Sequence, residues 1–86
     1  MKLNIGELVI SQAGNDSGRI FAVIGVTEEH LILADGRSRR LEKPKLKKVK
    51  HVKPLGSELE PETRKMLLSG ELTNKMLYRG IKKSLV

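Results

Sequence analysis

The run Arg19-Ile20-Phe21-Ala22-Val23-Ile24-Gly25-Val26 constrains this chain more than any other, because it is apolar on both sides. Successive side chains of a strand point to opposite faces, so Ile20, Ala22, Ile24 and Val26 share one face while Phe21 and Val23 take the other. Such a strand has to be covered on both faces. At 86 residues there is room for one domain to do it. With no cysteine for a disulfide framework or a thiolate zinc site, the cover has to come from packed Ile, Leu and Val side chains. The lack of cysteine also fits a cytoplasmic protein. An acid, Glu7, precedes any secretory apolar region, and the longest uncharged apolar run, Ile20 to Val26, is too short to span a bilayer.

The flanking segments complete a small β-structure. Glu7-Leu8-Val9-Ile10-Ser11 reads as a strand, and the turn formers of 12–18 as a loop after it. Glu28-Glu29 mark a polar turn before a third strand over His30–Ala34. Asp35-Gly36 is a two-residue hairpin signal, since both central positions of a type I′ turn need positive φ, and it predicts that 37–41 pairs back as a fourth strand. After Pro44, Leu46, Val49 and Val52 recur every third residue, a spacing that fits neither a clean strand nor a long helix; a short fifth strand closed by Pro54 is expected there. From Ser57 onward the composition turns helical. Pro61 suits a first helical turn and Gly70 a terminus. Thr73 is an N-cap candidate for a second helix, with Leu77, Ile81 and Leu85 at i, i+4, i+8, Lys82 and Lys83 at the negative end of its dipole, and Gly80 as a weak point. The expected fold is mainly β, a small barrel of four or five antiparallel strands followed by one or two short helices.

Charge is distributed very unevenly. Residues 37–53 hold nine of the seventeen Lys and Arg residues and one acid, a net +8, leaving eight basic and nine acidic residues, a net −1, elsewhere. A concentrated positive patch on a balanced surface attracts a polyanion. The apolar residues threaded through it argue against a free tail.

Catalytic chemistry is hard to find. His30 and His51 have no metal-binding spacing, and Gly14-Asn15-Asp16-Ser17-Gly18-Arg19 lacks the Lys-Ser/Thr and following helix of a phosphate-binding Walker loop. His30 reads as an ordinary strand-end residue. The chain is expected to be a non-enzyme with no cofactor, metal or small-molecule substrate.

Gly6-Glu7-Leu8-Val9-Ile10-Ser11, then Ala13 to Arg19, then Ile20 to Ile24, resembles the KOW motif, in which a glycine follows a polar loop between two strands; Gly18 matches that glycine. The stretch from Ala34-Asp35-Gly36-Arg37 through Lys43-Pro44-Lys45 to Lys50-His51-Val52 is similar to bacterial KOW-containing RNA-binding proteins related to archaeal and eukaryotic large-subunit ribosomal proteins. The resemblance covers residues 4–53 and does not extend over 54–86. It implies an SH3-like barrel over residues 1–53 with a helical extension over 54–86, ribosomal RNA as partner, and association with the large ribosomal subunit.

Residue chemistry agrees with that implication. A glycine loop brings backbone N–H groups to phosphates, placing Asn15 and Asp16 at its tip, Gly18 within it and Arg19 beyond it. Arg37, Arg39 and Arg40 suit forked phosphate contacts or base stacking. Lys43, Lys45, Lys47, Lys48, Lys50 and Lys53 are point charges suited to backbone affinity, with His51 among them as a further RNA contact. Only Phe21 and Tyr78 are aromatic, the first expected in the core and the second on a helix, so structured RNA held through phosphates and shape is favoured over stacked single strands. No basic recognition-type helix is expected. The alternative is an SH3-like protein-interaction module of the transcription or translation machinery, with Leu77, Ile81 and Leu85 as its docking stripe. Those residues serve equally as a lid on the barrel. A membrane partner ranks last, since the basic run lacks large apolar residues for insertion and a lipidation signal.

Overall fold

The computed structural model describes residues 2–86. Five strands and two helices follow one another as β1 (Glu7–Ser11), β2 (Ile20–Val26), β3 (His30–Ala34), β4 (Lys45–Lys48), β5 (Val52–Glu58), α1 (Pro61–Ser69) and α2 (Asn74–Leu85), with a 3-10 turn at Val49–His51 between β4 and β5. All pairings are antiparallel, in the order β4-β3-β2-β1-β5, an open sheet compatible with a small barrel-like fold.

Both faces of β2 are covered, each by a different device. Phe21 and Val23 join Leu3, Val9, Leu31, Leu33 and Val52 in one apolar cluster, with Val49 packed against it. Ala22 joins Leu8, Ala34, Leu59, Leu72, Leu77 and Ile81 in the other. The sheet's own residues dominate the first cluster, and the C-terminal segment supplies the second. Val26, at the strand end, is exposed.

Two expectations for the middle of the chain need correction. Residues 37–41 form no strand; the partner of β3 is β4, in the register His30↔Lys48 to Leu33↔Lys45. The Asp35 carboxylate accepts hydrogen bonds from the backbone N–H of Arg37 (2.9 Å) and Arg39 (2.8 Å) and from the Ser38 hydroxyl (2.5 Å), so it closes a compact loop in place of the expected two-residue hairpin. Pro54 does not end the strand either. It lies within β5, opposite Val9, and β5 carries the sheet beyond residue 53 to Glu58. An edge strand pairs on one side only, and there a missing N–H is tolerated.

The helices form where their punctuation places them. Pro61 opens α1, and Gly70 ends it in the left-handed region at φ 79°. The Thr73 hydroxyl caps α2 by accepting from the Met76 N–H at 3.2 Å. Leu77 and Ile81 are buried, whereas Leu85, in the last turn, is exposed. The apolar stripe is thus largely consumed as cover for the sheet. Gly80 marks a close approach, since a Cβ there would lie 3.1 Å from Thr63 Cγ2. No helix is long and apolar enough to cross a membrane.

Candidate nucleic-acid interface

The loop at 12–19 is organised by an inward lysine. Lys47 points from β4 toward the end of the apolar interior and is only 7% exposed. Its ammonium donates to Ser11 Oγ (2.8 Å), Ala13 O (2.6 Å) and Asp16 Oδ1 (2.7 Å), which uses all three of its protons. Ser11 Oγ donates to the same carboxylate oxygen at 2.8 Å, and Lys45 Nζ sits 2.8 Å from Asp16 Oδ2 in an ion contact outside hydrogen-bond geometry. Burial pushes the Asp16 carboxyl up, but the ammonium groups of Lys45 and Lys47 and the Ser11 hydroxyl outweigh it and hold the group far below the usual carboxylate range.

Asp16 is therefore not at an exposed loop tip, and Lys47 is not a free point charge. Both form a buried polar plug. Three backbone N–H groups at the end of the loop are also committed, with Ser17 N donating to Gly14 O (3.2 Å), Gly18 N to Ser11 O (2.8 Å) and Arg19 N to Asp16 O (3.0 Å). Gly18, at φ 89°, serves the turn's conformation, with its N–H directed into the protein.

The plug brings a cationic cleft together beside it. Asn15, Asp16, Arg19, Ser38, Arg39 and Lys45 line a cleft of about 270 Å³ floored by Phe21. Among the described residues, neither Arg19 nor Arg39 lies within ion-pair distance of an acid. Lys43, Lys48, Lys50 and Lys53 are exposed and His51 is half-buried, but none of the five lines this cleft. Phe21 is buried in the core, as expected.

The 35–43 loop separates this cleft from a second one and is docked onto α2. Asn74 Oδ1 accepts from the Leu41 N–H at 2.7 Å, and Asn74 Nδ2 donates to Glu42 Oε1 at 2.7 Å. Gly36 packs so tightly on the helix that a Cβ there would collide with the Asn74 carbonyl oxygen. The amide of Asn74, with help from the Glu42 backbone N–H and Arg40 Nε, lowers the exposed Glu42 carboxyl to about 2. Burial raises Asp35, but the Ser38 hydroxyl and the Arg39 and Arg37 N–H groups leave its carboxyl below the ordinary value.

On the far side of the loop, Arg37, Arg40, Lys75, Tyr78, Arg79 and Lys82 line a cleft of about 500 Å³. One helix, α2, does carry a basic face, which the sequence reading did not single out. Lys75, Arg79 and Lys82 lie at i, i+4 and i+7, and α2 has four basic residues and no acid. That spacing is present in the sequence. It is masked there because residues outside 37–53 sum to −1.

Among the described residues, no group of three or more His, Asp or Glu side chains is placed to hold a metal ion. No protein-family model and no curated protein matches this chain.

Proposed function

We propose that this chain is a non-catalytic, KOW-type RNA-binding protein that holds structured RNA, in the first instance ribosomal RNA of the large subunit, through its phosphates. The observation that carries the reading is the cleft of Arg19, Arg39 and Lys45, where two guanidinium groups lack an acidic partner beside the amide of Asn15 and the hydroxyl of Ser38. A guanidinium offers a planar fork of donors that matches phosphate oxygens, and since Asp16, the acid in this cleft, is engaged by Lys45 and Lys47, the two guanidinium groups remain available to an external anion. The scarcity of exposed aromatic rings favours contacts to backbone and shape over base stacking.

An SH3-like barrel is the finer fold reading. It is supported by the meander order β4-β3-β2-β1-β5, by the 3-10 turn joining the two edge strands, and by Lys47 reaching from β4 to Ser11 on β1, which requires the sheet to coil strongly.

The test is recovery of the protein from its own cells after crosslinking, with the attached RNA sequenced and the protein followed through a gradient that resolves ribosomal subunits. Fragments concentrated at one large-subunit RNA site, with the protein co-migrating, are expected. Fragments scattered at background and protein only at the top of the gradient would contradict the reading.

A further inference from the structure

We propose that the cleft between α2 and the 35–43 loop is a second phosphate-backbone subsite for RNA, in which Tyr78 orients the guanidinium of Arg37. The proposal rests on the RNA-binding reading above and extends it to a helix outside both the glycine loop and the 37–53 segment.

Helical spacing delivers three of the cations. Lys75, Arg79 and Lys82 fall on one face, opposite the face that buries Leu77 and Ile81. The loop delivers two more, Arg37 and Arg40. Glu42, two residues from Arg40, is already engaged by Arg40 at 3.0 Å and by Asn74 at 2.7 Å. Among the described residues, Lys75, Arg79 and Lys82 have no acid within ion-pair distance. Like charges gathered on one wall repel one another, and an external anion relieves that repulsion.

Tyr78 gives the site its geometry. The Arg37 guanidinium carbon lies 4.2 Å from the ring centroid, and Arg37 Nη1 donates to the Tyr78 hydroxyl at 3.1 Å. Lys82 Nζ approaches the same ring at 5.0 Å. Stacking and the hydrogen bond fix the plane of a guanidinium that stays solvent-exposed, so its remaining donors can fork onto a phosphate. With Arg40 paired to Glu42, four cations remain around about 500 Å³, more than one inorganic phosphate could neutralise, and they fit successive phosphates of a backbone. Tyr78 is thus a positioning residue for Arg37.

The experiment titrates labelled, deproteinised large-subunit ribosomal RNA with the full-length protein over a series of salt concentrations. The proteins are wild type, Lys75→Ala/Arg79→Ala/Lys82→Ala, and Arg19→Ala/Arg39→Ala, with phosphatidylglycerol vesicles as a second probe. The helix variant is expected to bind RNA at least about tenfold more weakly, and its log K against log salt to be shallower by roughly 2 to 3, three cations each contributing roughly 0.7 to 0.9. Its thermal midpoint should stay at the wild-type value, because all three side chains are exposed. Tyr78→Phe should keep most of the affinity, whereas Tyr78→Leu should lose it, and Arg37→Ala/Tyr78→Leu should bind no more weakly than Arg37→Ala alone. Wild-type affinity and slope in the helix variant, with loss only in Arg19→Ala/Arg39→Ala, would overturn the second subsite and leave the first standing. Loss on vesicles but not on RNA would overturn it in favour of a lipid headgroup. No binding of RNA by the wild type would remove both readings.

Discussion

Lys47 and Asp16 show how far a residue's role can depart from its side-chain type. By composition both belong on the surface, yet the register of β4 turns Lys47 inward, and the pair saturates itself with Ser11 and Ala13. An inward charge on an edge strand also discourages pairing with another chain. Asp16→Ala should destabilise the fold by about 3 kcal/mol, because it leaves a buried ammonium without its counter-charge. Lys47→Met should cost about as much, and the double variant less than the sum, a coupling measurable by denaturant unfolding. The pH dependence has a definite sign. The carboxyl of Asp16 is lowered in the folded state, so its contribution is complete above the unfolded value near 4 and declines as pH falls below that. Between about pH 5 and pH 2, Asp16→Asn should therefore lose stability less steeply than wild type. Some slope should persist from Asp35 and Glu42, whose carboxyls are also held low. An equally steep acid transition in the variant would mean that Asp16 is not the group being titrated. Gly36 is the other decisive residue. Its φ is 83°, and any Cβ would press into the Asn74 carbonyl oxygen, so Gly36→Ala should cost about 2 kcal/mol or more in thermal or chemical unfolding.

At the scale of elements, most of the fold is legible in the sequence because local signals agree with one another. The period of β2, the short β-branched β1, Pro61, Gly70 and the Thr73 cap each has one physical reading, and each element lies where that reading places it. The 35–43 segment departs from its expected form because Asp-Gly carries two chemistries. It favours a tight hairpin, but an aspartate can also capture backbone N–H groups ahead of it, and Asp35 does so with Arg37 and Arg39. The choice is settled by Asn74, more than thirty residues away, which binds Leu41 and Glu42 and seats Gly36. Local sequence holds no trace of that contact. The same long-range dependence makes the helices structural. Leu59, Leu72, Leu77 and Ile81 cover one face of the sheet together with Leu8, Ala22 and Ala34. A chain truncated after Glu58 should show no cooperative unfolding transition by circular dichroism, and Leu77→Ala should cost about 2–5 kcal/mol. A truncated chain that melts cooperatively would return the helices to the role of a docking appendage.

For the molecule as a whole, the basic stretch at 37–53 is not one device. Its residues are distributed among a buried plug at Lys47, a cleft with Arg39 and Lys45, a docked loop that carries Arg37 and Arg40 toward α2, and exposed lysines on β4, β5 and the turn between them. The candidate site is only partly legible in the sequence for that reason: charge counting finds the patch, while register and docking decide which charges face outward. Only part of the net charge of +7 is thus presented at the two clefts that flank the 35–43 loop. The measurement that tests this account most directly is the salt dependence of wild-type binding to deproteinised large-subunit ribosomal RNA. Neutralisation of about four to six phosphates predicts that log K falls against log salt with a slope of roughly −3 to −5. A slope near zero, or no binding at low salt, would contradict it.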